Sequence, residues 1–166
     1  MSRTANFTRE LVHTLKTKKT NYSWKIAKPP GDNRECVDVI AEGCKNKRLI
    51  LVEVELRRYG PVANIAKIWK WLDKDAEPFV GRKIIVIQAF SSFYRRKGPS
   101  FLKENSEFLG RQLEKQFKGR VKYIAIPFKY NPYKKRANVS VAHGGGAMRN
   151  AARKLANRIA LRVKHA

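Results

Sequence analysis

Three carboxylates occupy positions in which they could hold a divalent cation. Asp38 lies in a predicted β-strand over residues 35–42, and Glu53 and Glu55 lie in a second strand over residues 49–57. Side chains alternate along a strand, so Glu53 and Glu55 share one face and the apolar residues between them share the other. Carboxylates that converge on one point repel each other unless a cation joins them, and oxygen-only ligation suits Mg²⁺. The segment therefore predicts a carboxylate metal site.

The pairing register of these two strands decides whether the carboxylates meet. If the hairpin is centred between Lys45 and Asn46, residues whose numbers sum to 91 lie opposite each other. Asp38 then faces Glu53, and directly opposed residues have Cβ atoms about 4.5–5.5 Å apart. A slip of one residue would separate the two acids.

A solvated strand face is the simpler interpretation of a lone Glu-x-Glu pattern. The second strand, however, consists otherwise of Leu, Ile and Val, which is the profile of a buried central strand. Acids on such a strand favour a chemical role over a solvated one.

The charge of the chain points to its partner. The 166 residues include 37 basic and 13 acidic side chains, for a formal net charge of +24. No acid follows Glu114, while 14 Lys and Arg residues lie between Lys115 and Lys164. A chain that repels itself this strongly is stabilised when a polyanion neutralises it, so we expect nucleic acid as the partner.

Length and composition predict one domain over residues 1–166. The sequence has no run of 18 apolar residues and no secretory signal pattern, so we expect a cytoplasmic protein without a membrane partner. Cys36 and Cys44 are not opposed in the predicted register, so both are expected to be free thiols.

Periodicity and turn residues predict nine elements around one mixed sheet, an α/β fold with helices flanking the sheet. In chain order they are a helix over 4–19, strands over 21–28, 35–42 and 49–57, a helix over 61–73, a strand over 83–89, a helix over 99–117, a strand over 121–128 and a helix over 147–163.

Two of these helices carry specific predictions about which side chains face the core. On the helix over 61–73, the apolar stripe should face the sheet, and Asn64 and Lys67 should point away from it. On the helix over 99–117, the inward set is expected to include Phe101 and Phe108.

Clusters of cations next to aromatic residues are candidate nucleic-acid contacts, because such loops track a phosphate backbone and stack on bases. The triple glycine of residues 144–146, ahead of the last helix, is either a phosphate site at the helix N-terminus or a hinge. The candidate contact residues are Arg57, Arg58, Arg95, Arg96, Lys97, Lys134, Lys135, Arg136, Arg149 and Arg153.

The order of elements, with an acid on the second strand and Glu-x-acid on the third, resembles the PD-(D/E)xK nuclease superfamily. The resemblance implies a restriction-endonuclease-like αβββαβ core over residues 4–90, with 91–166 as a basic elaboration carrying a strand and the C-terminal helix. By motif, Asp38 matches the first acid and Glu53 the second. Glu55 stands where the family usually has lysine, and Val37 stands where it has proline.

This resemblance implies a metal-dependent endodeoxyribonuclease that acts on DNA, and we expect it to be a homodimer that cuts both strands. Asp38, Glu53 and Glu10, the acid available in the first helix, would bind Mg²⁺ or Mn²⁺, which activates water and neutralises phosphate charge. Glu55 would accept or orient the proton of that water.

Two points stay open within this reading of the sequence. The missing lysine could be replaced by Lys67 or Arg57, although a solvated helix face is the simpler interpretation of Lys67. The alternative function is a non-catalytic basic protein that binds RNA or DNA, such as a ribosome-associated or architectural factor.

Overall fold

The computed structural model describes residues 3–18, 20–27, 36–44, 47–57, 60–75, 77, 79–130 and 144–166. Within them the predicted order of helices and strands is confirmed, with one added 3₁₀ turn over Ser92–Arg95. The elements are α1 Arg3–Lys16, β1 Tyr22–Ile26, β2 Val39–Gly43, β3 Arg48–Glu55, α2 Pro61–Asp73, β4 Lys83–Phe90, α3 Pro99–Gln116, β5 Val121–Pro127 and α4 Gly144–Lys164.

The five strands form one mixed sheet in the order β1-β2-β3-β4-β5. Strand β2 is antiparallel to both β1 and β3, and β3, β4 and β5 run parallel to one another. Parallel neighbours need a crossover connection, which α2 provides between β3 and β4 and α3 provides between β4 and β5. The carboxyl ends of β3, β4 and β5 therefore share one edge of the sheet.

The β2–β3 register agrees with the prediction. Val39 pairs with Val52 and Ile40 pairs with Leu51, so the residue numbers of each pair sum to 91. Strand β2 begins at Val39 rather than at residue 35, which leaves Asp38 immediately before its first residue. Cys36 and Cys44 are free thiols, as expected.

Alternation along β3 separates two hydrophobic clusters, one on each face of the sheet. Val52 and Val54 belong to the cluster that also contains the buried residues of α1 and α4. Leu49 and Leu51 belong to the cluster that contains the buried residues of α2 and α3. We call these two sides the α1/α4 layer and the α2/α3 layer. Glu53 continues the alternation of Leu49 and Leu51, so it faces the α2/α3 layer.

The expectation that Phe101 and Phe108 face inward from α3 is wrong. Phe101 and Phe108 are 54% and 57% exposed, and the buried residues of the helix are Ser106, Gly110 and Leu113. A Cβ atom at Gly110 would collide with the ring of Tyr123 on β5. The helix thus turns its small residues toward the sheet, because a close approach there has no room for phenylalanine.

Helix α4 begins at Gly144, so the triple glycine forms its first turn rather than preceding it. Half of its buried residues are alanines, which allow close packing on α1, and its outward side has six basic and no acidic residues. None of the described helices is long and apolar enough to cross a membrane.

Candidate carboxylate and lysine site

The hairpin and its neighbouring strand bring Asp38 and Glu53 together. Asp38 Oδ2 accepts a hydrogen bond of 2.7 Å from the backbone N–H of Val54, which fixes the Asp38 carboxylate against β3. Glu53, one residue earlier on β3, is only 1% exposed. The two acids are therefore placed side by side, as the register requires.

Lys67 completes this pair from α2. Its Nζ lies 2.7 Å from Glu53 Oε1 and donates hydrogen bonds to the Cys36 carbonyl oxygen at 2.8 Å and to Asn64 Oδ1 at 3.2 Å. The side chain is only 13% exposed, and the ammonium lies 5.6 Å from the centre of the Trp71 ring. The prediction that Lys67 and Asn64 point away from the core is wrong, because a buried carboxylate draws the lysine inward.

Burial changes the acidity of Glu53. The pKa of Glu53 is raised to about 8, first by loss of hydration and second by the neighbouring charge of Asp38, while Lys67 opposes both effects. The charge of Glu55 is the smallest of these influences. Glu53 Oε2 accepts no hydrogen bond from the described residues although it is buried. Glu53 thus has a carboxyl oxygen without a hydrogen-bond donor. It also carries a proton that a metal cation could displace.

Glu55 lies in a different environment from Glu53. It is fully buried, and its Oε1 accepts hydrogen bonds from Asn64 Nδ2 at 2.8 Å and from Gln88 Nε2 at 3.1 Å. Gln88 Oε1 in turn lies 2.8 Å from the Tyr123 hydroxyl and 2.7 Å from Ser106 Oγ. We call Asn64, Glu55, Gln88, Ser106 and Tyr123 the polar network. Its donors enclose Glu55, which suits an anchoring role better than proton transfer with a substrate.

The direction of each hydrogen bond in the polar network is fixed from both ends. A lysine ammonium can only donate, so the amide oxygen of Asn64 faces Lys67 and its NH₂ group faces Glu55. The Pro61 carbonyl can only accept, so Gln88 Nε2 points to it at 2.9 Å and also to Glu55. Glu55 Oε1 therefore has to accept both hydrogen bonds.

Glu10 is not brought to this site. It lies on α1, whose buried residues pack on the opposite face of the sheet, and its Oε1 is 3.9 Å from Arg153 Nε on α4. The part of the chain that the structure describes contains no group of three Asp, Glu, His or Cys side chains arranged to hold a metal. The candidate ligands are thus reduced to the pair Asp38 and Glu53.

This pair fits the demands of Mg²⁺. Magnesium is usually bound through one or two carboxylates and keeps several waters, so two acids are sufficient protein ligands. The buried Glu53 Oε2, which lacks a hydrogen-bond donor, is the type of atom that a cation would satisfy. His and Cys ligands, which would favour zinc, are not part of the arrangement.

Exposed cations follow the carboxyl ends of β3 and β4, at the same edge of the sheet as Glu53. Arg57 lies 5.4 Å and Arg96 lies 6.0 Å from the centre of the Phe93 ring. Arg95 and Lys97 are exposed beside them. Arg57 is thus directed to Phe93, whereas Lys67 occupies the position next to the second acid.

The remaining predicted contacts are divided between two parts of the chain. Arg149 and Arg153 are exposed on α4, in the α1/α4 layer. Arg58, Lys134, Lys135 and Arg136 lie outside the described residues.

Sequence reasoning missed most of the polar network. Gln88 offered one signal, because it is the only polar side chain between Ile84 and Phe90. Ser106 and Tyr123 offered none, since a serine in a helix and a tyrosine in a strand are common without a special role.

Comparisons of this chain with protein-family models, with curated proteins and with solved structures give no match. The case for a function therefore rests on the site itself.

Proposed function

We propose that this chain is a Mg²⁺- or Mn²⁺-dependent endonuclease that hydrolyses phosphodiester bonds in DNA, with a restriction-endonuclease-like core. The observation that carries the proposal is the convergence of Asp38, Glu53 and Lys67 in one nearly buried cluster. Two acids and a lysine are the set that the resemblance requires, and here the lysine comes from α2 instead of β3.

Each residue of the cluster has a distinct task in this proposal. Asp38 and Glu53 would hold the metal, which supplies a water of lowered pKa and neutralises charge on the phosphate. Lys67 keeps a positive charge beside Glu53, where it stabilises charge that develops on the phosphate during cleavage. Glu55 positions Lys67 through Asn64 and does not touch the substrate.

Binding of a cation at Glu53 is coupled to release of a proton. The pKa of Glu53 is raised to about 8, so its carboxyl group is mostly protonated at neutral pH. A metal ligand has to be deprotonated, so metal binding gives off a proton and tightens as the pH rises. The affinity for Mg²⁺ is therefore expected to increase between pH 6 and pH 8.

The exposed cations at the carboxyl edge of β3 and β4 support a polyanionic substrate. Arg57 follows β3, which carries Glu53 and Glu55, and Arg95, Arg96 and Lys97 follow the parallel neighbour β4. They would contact phosphates on either side of the bond to be cut, which fixes the register of the substrate without reading its sequence.

A non-catalytic basic binder of RNA or DNA is the second candidate, and the net charge of +24 favours it equally. Such a protein gains nothing from a buried acid pair, because acids repel phosphates and burying them costs stability. Glu53, 1% exposed and without a hydrogen bond to Oε2, is the feature that a simple binder leaves unexplained.

The test uses supercoiled plasmid and branched DNA with the full chain. Mg²⁺ and Mn²⁺ should support cleavage, Ca²⁺ should support binding alone, and EDTA should abolish cleavage. Asp38→Asn and Glu53→Gln should lower the cleavage rate by several orders of magnitude while DNA binding in EDTA stays unchanged or tightens. The binding measurement separates loss of chemistry from loss of folding.

Glu42→Gln is the matched control. Glu42 lies on β2 opposite Leu49, four residues along the strand from Asp38, and its side chain is 40% exposed and forms a 2.6 Å ion pair with Lys25. Its loss should leave cleavage unchanged. Tight DNA binding by the wild-type chain without metal-dependent cleavage would favour the binder, and cleavage in excess chelator would rule out the metal mechanism.

A further inference from the structure

Helix α3 presents an aromatic and charged stripe to solvent. Phe101, Glu104, Phe108, Arg111 and Lys115 follow one another at spacings of three or four residues, so they lie on one side of the helix. All five are exposed, and the two phenylalanines are each more than half exposed. We call these five residues the α3 stripe. It includes the only exposed aromatic pair on one helix among the described residues.

The charge of α3 differs from the charge of the molecule. The helix has three acidic and three basic residues, whereas α4 has six basic residues and no acid. Two copies of a chain with a net charge of +24 repel each other over most of their surface. The α3 stripe is a surface where a second copy would meet balanced charge.

The charges of the stripe are also ordered along the helix. Glu104 lies on the N-terminal side of Phe108, and Arg111 and Lys115 lie on its C-terminal side. None of these three charged residues has an ion pair within the described part of the chain. A second α3 running antiparallel would place each Glu104 beside the partner's basic end, while a parallel arrangement would place like charges together.

We propose that a second copy of this chain docks on the α3 stripe, with the two helices antiparallel and the twofold axis at Phe108. Residues whose numbers sum to 216 then lie level with each other, so Glu104 is level with Gln112 of the other copy and about 1.5 Å along the axis from Arg111, a contact that occurs twice in the dimer. Such self-complementarity is what a twofold interface demands. The inference does not depend on the nuclease proposal.

The proposed dimer is held by a single pair of helices, which limits its expected affinity. Stable interfaces bury about 1,200–2,000 Å² in total, and one helix stripe supplies less than that. The dimer should therefore be weak and dependent on protein concentration. Added salt should strengthen it, because salt shortens the Debye length to about 8 Å at physiological ionic strength and screens the repulsion between the two copies.

Sedimentation velocity over a wide range of protein concentrations, at low and moderate salt, is the direct measurement. The wild-type chain should form a dimer as concentration and salt increase. Phe101→Ser and Phe108→Ser should each raise the dissociation constant at least tenfold. The melting temperature should stay unchanged, because both rings are solvent-exposed in one copy.

Leu161→Ser is the matched control for loss of an exposed apolar side chain. Leu161 is 60% exposed on α4, outside the proposed surface, so its replacement should leave the dimer intact. Equal weakening by Leu161→Ser and Phe108→Ser would overturn the assignment of the interface to α3.

A charge exchange tests the antiparallel arrangement. Glu104→Arg or Arg111→Glu alone should weaken the dimer, because each places like charges together. The double variant Glu104→Arg with Arg111→Glu keeps the net charge of the chain and restores opposite charges across the axis, so dimerisation should recover. A chain that stays monomeric under all conditions overturns the proposal, and a double variant that stays as weak as the single variants overturns the antiparallel geometry.

Discussion

The two layers that cover the sheet differ in what they bury and in what they expose. The α1/α4 layer packs an almost entirely apolar cluster against the sheet and exposes six cations on α4 alone. The α2/α3 layer buries Glu53, Glu55, Gln88 and Ser106, and the outer side of α3 is electrically balanced. One layer thus supplies stability and attraction for a polyanion, and the other contains the groups capable of chemistry.

This difference has an energetic cause. Buried polar groups destabilise a protein unless hydrogen bonds satisfy them, and the polar network satisfies most of those in the α2/α3 layer. In the described part of the opposite layer, the buried polar side chains of the helices are only Thr8 and Thr14, so this layer relies mainly on apolar packing. Sensitivity to small changes in hydrogen bonding should accordingly be confined to the α2/α3 layer.

Among the variants that compare the two layers, Lys67→Met should have the largest effect, which is on the cleavage rate. Lys67→Met removes the charge beside Glu53 and keeps much of the side-chain volume, so cleavage should fall by about 10²–10³-fold if the lysine stabilises charge on the phosphate. Single-turnover cleavage of labelled DNA measures this loss. Lys70→Met, which removes an exposed cation from the same helix, should have little effect. Equal activity of the two variants would contradict the role given to Lys67.

The stability of the α2/α3 layer should decrease as the pH rises. Glu53 has a pKa of about 8 in the folded chain and an ordinary value of 4.5, so its contribution is fully present below pH 4.5 and is lost as the pH rises through 8. The slope reaches at most about 1.4 kcal/mol per pH unit. Denaturation of the wild-type chain and of Glu53→Gln at pH 5, 7 and 9 should show a growing advantage for the variant.

Glu42 provides a control of the opposite sign. Its hydrogen bond and ion pair with Lys25 lower the pKa of Glu42, so its contribution is present above pH 4.5 and is lost as the pH falls. Glu42→Gln should therefore lower the free energy of unfolding slightly, and only at the higher pH values. A pH dependence that Glu53→Gln leaves unchanged would contradict the raised pKa of Glu53.

Glycine substitutions should change the free energy of unfolding in opposite directions in the two layers. Gly110→Ala drives a methyl group into the Tyr123 ring and should cost about 1–3 kcal/mol in the free energy of unfolding. A Cβ at Gly146 on α4 meets nothing within 4 Å, so Gly146→Ala should stabilise the helix by about 0.5–1 kcal/mol. Urea denaturation measures both, and a similar sign for the two variants would contradict the comparison of the layers.

Glu55→Leu tests the fixed direction of the polar network. It removes the oxygen that accepts from Asn64 Nδ2 and Gln88 Nε2, and neither amide can turn without losing Lys67 or Pro61. The variant should lower the free energy of unfolding by about 1–3 kcal/mol, the range for a buried polar group without a partner. Its cleavage rate should fall as well, because Lys67 loses its orientation. A variant as stable and active as the wild type would contradict the anchoring role.

The smallest expected effect concerns the basic side of the α1/α4 layer. Replacing Arg149, Lys154 and Arg162 together by Ala should make the plot of log affinity against log salt shallower, by about 0.9 per lost phosphate contact on duplex DNA. Lys74→Ala, which removes an exposed cation from the opposite layer, should leave the slope unchanged. An unchanged slope in the triple variant would mean that α4 faces solvent in the complex.

The order of elements and the hairpin register could be predicted because both follow from local rules. Alternation along β3 and the turn at residues 44–47 were enough to place Asp38 opposite Glu53. Turn residues such as Gly60 and Pro61 gave the start of α2. These signals lie within about ten residues of the feature that they determine.

The position of Lys67 and the face of α3 could not be predicted in this way. Hydropathy assigns a lysine to the solvent side of a helix, but the buried Glu53 on a distant part of the chain reverses that preference. Hydropathy also assigns Phe101 and Phe108 to the core, but Gly110 and Ser106 face the sheet because Tyr123 and Gln88 occupy the space there. Both errors come from partners that are remote in sequence.

The open form of the sheet has a consequence for aggregation. Strands β1 and β5 are its two edges, and an edge strand can pair with a strand of another molecule. Edge β1 is five residues long and carries Lys25, while β5 carries the exposed Lys122 and ends at Pro127, which has no N–H to donate. Repulsion between chains of net charge +24 also keeps the edges apart, but a bound polyanion removes that repulsion. In the proposed complex with nucleic acid, the two lysines and the proline would then hinder one sheet from extending into the next.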